Sequence, residues 1–359
     1  MVASASVSGH GRWVSTSSRV SRTGPLVLGA STLDTSFPLV SVITPVLNSA
    51  STLELTLVSV AAQTYPNIEH VVIDGGSTDG TIDVLRRFRS AVPLRWVTEE
   101  DTGMYAAINK GLGLAQGEVL SYLNGDDLYL PWSVRLAVSA LASGGDLAFG
   151  DVLVLSKEGG LSRSVGIQFY PRFRPQTYAY RSMGQPSVFW RRKVSDTVGG
   201  FDERMRYGGD FEYWLRTGTS GFRFTHVREV LAVEVGHEGT LSTVHADELR
   251  WEIERTRARY AAAERLNDFR RLRVLRQLIH WRWQVLMWRL NLKRNSPSSW
   301  PNLIHFLRRA GLNPNGSTSA ALLLPLPLPR SWRMWRLDSA EFERRLTEEL
   351  WSRRAMKLD

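Results

Sequence analysis

Apolar and polar residues alternate along the chain in blocks that predict a repeating order of strands and helices. Residues 39–46 form an almost unbroken apolar, β-branched run, which is typical of a strand buried on both faces. Residues 51–63 follow with apolar side chains at helical spacing, and Ser51 is a candidate N-cap. The same reasoning predicts strands at residues 68–74, 94–97, 117–124, 146–155 and 223–235, and helices at 79–89 and 104–115. This order favours an α/β fold with a mainly parallel, doubly wound sheet flanked by helices.

Polar residues are concentrated directly after the predicted strands. Asn48 follows the first strand, residues 74–79 the second, residues 99–102 the third and residues 124–127 the fourth. The carboxyl ends of parallel strands meet at one edge of a sheet, and ligands of open α/β sheets bind there. We therefore expect these four segments to converge on one cleft.

Asp126 and Asp127 are the strongest candidates for chemistry in these segments. Two adjacent carboxylates after a buried strand are unfavourable unless a positive charge meets them. A bound Mg²⁺ or Mn²⁺ holding a diphosphate would meet this need, because such cations bind through one or two carboxylates plus phosphate oxygens. The alternative interpretation is a solvated Asp-Asp turn, since turns favour aspartate.

Two later segments carry further candidates. Gly208-Gly209-Asp210 precedes an amphipathic run, so Asp210 is either the N-cap of a helix or a general base that the glycines place in an open cleft. His237 follows a glycine in a predicted loop, where it is either a structural residue or a ligand of a metal or phosphate.

Composition excludes several kinds of site. The 359-residue chain has no cysteine, which rules out disulfides, thiolate zinc sites and cysteine nucleophiles. No run of about 18 apolar residues exists, so no transmembrane helix is predicted. Residues 1–37 are rich in serine and lack the apolar segment of a signal peptide. We predict a disordered tail for this segment and a cytoplasmic location for the protein.

The basic charge lies in the last third of the chain. Residues 246–359 contain 23 Lys and Arg against 12 Asp and Glu, together with eight of the 13 tryptophans. Residues 265–294 combine nine Lys and Arg with an apolar stripe at three- and four-residue spacing, which predicts an amphipathic helix. Two interpretations are open: this helix binds an anionic membrane surface, or it packs on the rest of the protein with its Arg face in solvent. No DNA- or RNA-binding module is visible, so no nucleic acid partner is expected.

Taken in order, these segments resemble glycosyltransferase family 2, a group of inverting enzymes with a GT-A fold. Residues 41–81 are similar to the donor-binding half of the family, residues 99–129 to the stretch that ends in its DxD-type metal motif, and residues 184–216 to its acceptor-side segment. The resemblance implies a Rossmann-like GT-A domain at residues 38–245, followed by a basic, Trp-rich helical extension at residues 246–359.

The resemblance also implies roles for individual residues. Asp210 would be the catalytic base, Asp127 would bind Mn²⁺ or Mg²⁺, and His237 would approach the metal or the diphosphate. Thr44, Pro45 and Asn48 would line the nucleoside pocket. The remaining donor-binding residues would be Asp74, Asp101, Lys110, Asp126 and Gln185, with Gln185 near the acceptor or the donor sugar.

The implied activity is transfer of a sugar from a nucleotide-sugar donor to a hydroxyl of a glycan or a lipid-linked acceptor. Synthesis of cell-surface polysaccharide or glycolipid would place the protein peripherally at the inner face of the membrane. Two alternatives are open. A sugar nucleotidyltransferase would need a Gly-rich, basic loop after the first strand, which the sequence PVLNSAS does not provide. A non-catalytic glycan-binding or lipid-surface-binding protein on the same scaffold would have no need of Asp127 and Asp210.

Overall fold

The computed structural model describes residues 37–158, 161–168, 183–263 and 339–358. Within these ranges the strands form one nine-stranded sheet. They are β1 (Val40–Val46), β2 (Ile68–Asp74), β3 (Leu94–Thr98), β4 (Val119–Tyr122), β5 (Leu128–Tyr129), β6 (Leu147–Glu158), β7 (Leu161–Gln168), β8 (Phe189–Arg191) and β9 (Phe224–Gly236).

The sheet is mixed, with four parallel and four antiparallel pairs among the described strands. Its strand order is β3-β2-β1-β4-β8-β6-β9-β5, and β7 pairs with β6. The pairs β3–β2, β2–β1, β1–β4 and β6–β9 are parallel. Strand β8 runs antiparallel between β4 and β6, while β5 and β7 run antiparallel to β9 and β6. The predicted α/β fold is confirmed, and the parallel arrangement holds for the four neighbouring strands β3, β2, β1 and β4.

The described helices flank this sheet. They are α1 (Leu53–Ala61), α2 (Thr81–Arg87), α3 (Met104–Leu114), α4 (Ser133–Ala142), α5 (Arg192–Val198), α6 (Gly209–Thr219), α7 (Leu241–Val244), α8 (Ala246–Ala263) and α9 (Ser339–Leu358). The predicted cap at Ser51 is wrong, because Thr52 occupies the N-cap of α1 and makes no side-chain capping bond. Helix α2 begins later than predicted, because Gly80 precedes it with a left-handed φ of 101°.

Strand register brings the polar loops to one edge of the sheet. Every residue of β1 and β2 is buried, as their apolar runs predict. Val46 pairs with Asp74, and Asp74 pairs with Thr98, so β1, β2 and β3 end side by side. Strand β4 lies on the other side of β1 in parallel, with Ile43 opposite Tyr122. The loops after these four strands therefore leave from the same edge.

Helix α9 of the basic C-terminal region packs on the sheet domain. Phe342, Leu346 and Leu350 are at most 1% exposed and belong to the same apolar core as the central strands. Helix α9 contacts α1 and β7, and the Arg354 guanidinium lies 4.5 Å from the centre of the Phe88 ring. None of the described helices is long and apolar enough to cross a membrane. The predicted helix at residues 265–294 and the tail at residues 1–36 lie outside the described residues.

Replacing Leu346 by alanine is expected to destabilise the fold. The substitution removes buried methyl groups and leaves a cavity under α9, which typically lowers the free energy of unfolding by about 2–5 kcal/mol. Chemical denaturation measures this loss. Met356→Ala on the same helix is the control, because Met356 is 66% exposed and exposed substitutions change stability by about 0.5 kcal/mol or less. Equal effects of the two substitutions would show that α9 is not part of the core.

Candidate active site

Asn48 joins the loops that follow β1 and β2. Its backbone has a left-handed φ of 51°, which asparagine adopts more readily than most residues. Its N–H donates to Ser77 Oγ at 2.7 Å, and its Oδ1 accepts the N–H of Thr78 at 2.9 Å. Asp74, at the end of β2, accepts the N–H groups of Gly76 and Ser77 at 3.2 and 3.1 Å. These bonds hold two predicted donor-binding residues in one connected pair of loops.

Thr44 and Pro45 lie within the sheet. Both belong to β1 and are buried, and their Cα partners on β2 are Val72 and Ile73. Thr44 Oγ1 lies 2.8 Å from His70 Nε2, and burial lowers the pKa of His70 to about 3, so this imidazole is neutral at pH 7. The side chains of Thr44 and Pro45 thus occupy the sheet interior, and their contact with a nucleoside stays a prediction.

Asp101 and Lys110 are held near the loop after β3. Asp101 Oδ1 accepts the N–H of Gly103 at 2.9 Å. A Cβ atom at Gly75 would approach Asp101 Oδ2 to 2.7 Å, so a larger residue at position 75 would displace the Asp101 carboxylate from its present place. Lys110 on α3 forms an ion pair with Glu99 at 3.0 Å. Asp101 therefore lies against the β2 loop, while the Lys110 ammonium faces the loop after β3.

Asp127 is a buried carboxylate among other acids. It is 4% exposed, and its Oδ1 accepts the N–H of Val235 on β9 at 3.0 Å. Its Oδ2 accepts a long hydrogen bond from Asn124 Nδ2 at 3.3 Å. Burial, followed by the charges of Asp126 and Glu234, raises the pKa of Asp127 well above its usual value. An ionised Asp127 would thus be stabilised by a positively charged partner.

Asp126 contacts His237, which follows β9. His237 Nε2 lies 3.2 Å from Asp126 Oδ2, and His237 Nδ1 accepts the N–H of Gly239 at 3.1 Å. Because Nδ1 accepts, Nε2 carries the proton and donates it to the carboxylate. Burial raises the pKa of Asp126, and His237 opposes this shift. Asp126, predicted to bind the donor, and His237, predicted to bind the metal, are thus in contact although they lie 111 positions apart in the sequence.

Gln185 connects the acceptor-side segment to the end of β4. It begins the short 3₁₀ turn Gln185–Ser187. Its Nε2 donates to the backbone oxygen of Tyr122 at 2.8 Å, and its Oε1 accepts from Asn124 Nδ2 at 3.3 Å. Asn124 Oδ1 is buried and has no hydrogen-bond partner among the described residues. An acceptor oxygen next to Asp127 and Gln185 is therefore available to a ligand.

Asp210 lies in the first turn of α6. The N-cap of this helix is Gly208, so the interpretation of Asp210 as the N-cap is wrong: the cap lies two residues earlier, and the helix begins at Gly209. The Tyr105 hydroxyl on α3 accepts the N–H groups of Gly209 and Asp210 at 2.8 and 3.3 Å and donates to the Tyr207 carbonyl at 3.0 Å. These hydrogen bonds hold the backbone of Asp210 in place. Asp210 itself is partly exposed.

Glu252 on α8 holds the loop that leads into Asp210. Its carboxylate accepts the N–H groups of Arg206, Tyr207 and Gly208 at 2.9, 3.0 and 2.7 Å. Removal from water raises the pKa of Asp210 to about 6, and the nearby charge of Glu252 contributes in the same direction. Near neutral pH the Asp210 carboxylate is consequently ionised but readily accepts a proton.

Glu234 shows that these carboxylates share one region. Burial raises the pKa of Glu234, and the charges of Asp126 and Asp210 raise it further. Glu234 also raises the pKa of Asp127. Glu234 is therefore within electrostatic range of Asp126, Asp127 and Asp210. We call these four residues the acidic cluster. They come from the loop after β4, the start of α6 and the end of β9.

Comparison with known proteins identifies the family. Residues 41–198 match the family model described as glycosyl transferase family 2. A PGL/p-HBAD biosynthesis glycosyltransferase of Mycobacterium tuberculosis (strain ATCC 25177 / H37Ra) is 30% identical over 216 residues, which cover 58% of this chain and 81% of that protein. The chain belongs to glycosyltransferase family 2.

Two other proteins are also similar to this family 2 chain. The glycosyltransferase AglE of Haloferax volcanii is 30% identical over 205 residues, which cover 55% of this chain and 67% of that protein. The crystal structure of S. aureus TarS 1-349 in complex with UDP-GlcNAc has 20% identity and a TM-score of 0.52, covering 77% of this chain and 84% of that one. The structural similarity concerns the fold, and it confirms the GT-A fold that the sequence predicts.

The acidic cluster of this family 2 chain suits a divalent cation shared with phosphate oxygens. In the ranges that the structure describes, no three His, Asp or Glu side chains are arranged to enclose a metal. Asp126 and Asp127 provide carboxylate oxygens, and the unpaired Oδ1 of Asn124 lies beside them. Mg²⁺ bound with nucleotides uses one or two carboxylates plus phosphates, and the same oxygen ligands suit Mn²⁺. Binding of a metal by Asp127 and His237 stays a prediction. Both ring nitrogens of His237 already form hydrogen bonds, to Asp126 and to the N–H of Gly239, so a metal contact at His237 would replace one of these bonds.

Sequence reasoning missed Tyr105, Glu234 and Glu252. Glu234 did carry a signal, because it interrupts the apolar residues 230–235 of β9. Tyr105 and Glu252 carried none, since their roles depend on hydrogen bonds to the Arg206–Asp210 segment, which is remote in sequence from both. In this family 2 chain, the residues that position Asp210 are visible only in three dimensions.

Proposed function

We propose that the protein transfers a glycosyl group from a nucleoside-diphosphate sugar to a hydroxyl of a glycan or lipid-linked acceptor, with inversion at the anomeric carbon. The observation that carries the proposal is that the charges of Asp126 and Asp210 both act on Glu234, near the carboxyl end of β9. Membership of glycosyltransferase family 2 supports it, as does the presence of UDP-GlcNAc in the TarS complex with the same fold.

Asp210 acts as the general base in this proposal. The acceptor oxygen forms a bond to the anomeric carbon as the bond from that carbon to the diphosphate oxygen breaks, and the hydroxyl proton passes to the Asp210 carboxylate. Assistance of this kind typically contributes about 10²–10⁴-fold to the rate. The pKa of about 6 suits the role, because the group is ionised near neutral pH and remains basic enough to accept a proton. A single displacement of this kind inverts the anomeric centre.

The rest of the site binds and orients the donor. Asp127 and His237 would hold a divalent cation, which when bound neutralises charge on the leaving diphosphate. Asn48 and Asp74 shape the loops assigned to the nucleoside, and Asp101 packs against the second of these loops. Gln185 lies next to Asn124 beside the acidic cluster, where it would contact the transferred sugar.

The cellular role proposed is synthesis of a cell-surface polysaccharide or glycolipid from the cytoplasmic side. The name of the mycobacterial relative, which refers to PGL/p-HBAD biosynthesis, supports this class of product. Peripheral membrane attachment through residues 265–294 belongs to the same proposal. Flotation of the full chain with anionic and neutral liposomes tests it, and a chain that stays with the soluble fraction in both would argue against attachment.

A donor-turnover assay tests the proposed activity. A panel of nucleotide-sugars is incubated with the full chain and Mn²⁺, without acceptor, and the products are separated by ion-exchange chromatography. A glycosyltransferase slowly releases a nucleoside diphosphate as water replaces the acceptor. A nucleotidyltransferase would instead need pyrophosphate and release a nucleoside triphosphate, and a binding protein would release neither. Either of these last results would contradict the proposal.

The pH dependence of transfer is expected to report the ionisation of Asp210. Because the base must be unprotonated, kcat/KM should fall about tenfold per pH unit below about pH 6 and reach a plateau above it. In Glu252→Gln the acid limb should move to lower pH, since the negative charge that raises the pKa of Asp210 is gone. Glu254→Gln on the same helix is the control, because its carboxylate pairs with Arg257 at the surface. Burial is the main cause of the raised pKa of Asp210, so a wild-type profile without an acid limb near pH 6, or a limb that moves to higher pH in Glu252→Gln, would contradict the assignment.

A further inference from the structure

A surface cavity lies beside the segment that carries Asp210. Its volume is ≈ 380 Å³, within the range of about 300–1,000 Å³ that small-ligand sites occupy. One wall is the loop before α6 and the other is the first half of α8. The lining residues are Arg206, Tyr207, Asp247, Glu248, Trp251 and Glu252.

The cavity lies next to the loop that leads into Asp210. Glu252 forms part of its lining and also accepts the N–H groups of Arg206, Tyr207 and Gly208. Gly208 is the N-cap of α6, two residues before Asp210. A ligand in the cavity would consequently lie against the loop that places Asp210.

The aromatic lining offers flat apolar surface in a fixed position. Trp251 is 60% exposed, although the Arg255 guanidinium lies 5.2 Å from its ring centre. The Tyr207 ring is stacked on His245 with centroids 4.6 Å apart. An exposed tryptophan at the wall of a cavity is suited to contact with the apolar face of a ligand ring.

The acidic lining offers hydrogen-bond acceptors to hydroxyl groups. The side chains of Asp247 and Glu248 are 89% and 59% exposed, and their carboxylates pair with Arg250 at 3.0 Å and with His245 at 3.5 Å. A carboxylate has about four lone-pair positions, so each of these paired groups can still accept a hydrogen bond from an O–H donor. A ring with an apolar face and several hydroxyls matches both parts of the lining, and a pyranose sugar is such a ring.

We propose that this cavity is an acceptor subsite that binds a neutral sugar residue, with Trp251 stacked on the sugar and Asp247 and Glu248 bonded to its hydroxyls. The inference rests on the proposed glycosyl transfer and narrows the acceptor to one that already carries a sugar. The sugar would be held beside the Arg206–Asp210 segment, so that one of its hydroxyls, or one on the adjoining unit, is directed towards the base.

Saturation-transfer NMR with methyl glycosides tests the subsite. The probes are the methyl glycosides of glucose, galactose, mannose and N-acetylglucosamine, mixed one at a time with the full chain. At least one is expected to show saturation on its ring protons, with an affinity lowered about tenfold or more in Trp251→Ala. Trp251→Phe, which keeps a flat ring, should retain most of the signal. Trp96→Ala should leave it unchanged, because Trp96 lies on β3 away from the cavity.

Three results would overturn the subsite. The first is that the wild-type chain saturates none of the glycosides. The second is that Trp251→Ala binds a glycoside with the same affinity as the wild type. The third is equally strong saturation of cyclohexanol, a ring with a single hydroxyl. Thermal unfolding of each variant verifies that it is folded. Binding of nucleoside diphosphates with Mn²⁺ is measured on the same wild-type sample. If that binding persists without glycoside binding, the subsite alone is wrong, and if both are absent, the proposed function fails as well.

Discussion

Asp210→Asn is expected to lower the rate of glycosyl transfer by about 10²–10⁴-fold while the protein still binds the donor. Asparagine has nearly the same shape, but its amide does not accept the proton of the acceptor hydroxyl. The Tyr105 hydroxyl bonds the backbone N–H groups of Gly209 and Asp210, so the start of α6 should keep its position. Steady-state kinetics with saturating donor measure kcat, and titration with nucleoside diphosphate measures binding.

Asp196→Asn is the matched control for this substitution. Asp196 lies exposed on α5, so the variant loses the same charge outside the acidic cluster and should transfer at the wild-type rate. The assignment of Asp210 as the base would be refuted by a kcat within a few-fold of wild type in Asp210→Asn. Retention of the anomeric configuration in the product would refute it as well, because a single base-assisted displacement inverts that centre.

Asp127→Asn is expected to lower donor turnover by about 10²–10³-fold, because a lost metal contact removes a few kcal/mol of stabilisation from the leaving diphosphate. The same variant should unfold at a higher temperature without ligand. Burial and the charges of Asp126 and Glu234 raise the pKa of Asp127 well above its usual value. Its ionised form therefore destabilises the folded state as pH rises above the unfolded-state pKa, and neutral asparagine removes that penalty.

The local geometry permits this substitution. Asparagine can still accept the N–H of Val235, and Asn124, whose Oδ1 has no partner among the described residues, can rotate its amide to face the new side chain. Differential scanning calorimetry measures the stability, and nucleoside diphosphate release measures turnover. Unchanged turnover with unchanged metal dependence would remove Asp127 from the site. Asp83→Asn on α2 controls for loss of an exposed carboxylate.

The sequence was sufficient to predict the central sheet and the converging loops. The apolar runs of β1 and β2 leave few alternatives to strands buried on both faces, and parallel strands bring Asn48, Asp74 and Asp127 to one edge. The antiparallel strand β8 was not predicted, because a three-residue strand has too short a pattern to recognise. The mixed character of the sheet follows from β8 and its neighbours.

The features of the site and fold that the sequence did not predict depend on contacts between segments that are remote in the chain. Tyr105 and Glu252 act on the backbone before and at Asp210, and hydrogen bonds to backbone groups leave no pattern in the sequence. The N-cap interpretation of Asp210 failed by two residues, because helix ends depend on local backbone geometry. Phe342, Leu346 and Leu350 do recur at four-residue spacing, but that spacing does not reveal which surface covers them.

Calorimetric titration of a nucleoside diphosphate into the full chain, with Mn²⁺ and with EDTA, shows whether the acidic cluster binds a cation and a diphosphate together. We expect measurable affinity with Mn²⁺, an affinity at least about tenfold weaker with EDTA, and a similar loss in Asp127→Asn but not in Asp83→Asn. Equal affinity with and without Mn²⁺, unaltered in Asp127→Asn, would contradict this expectation.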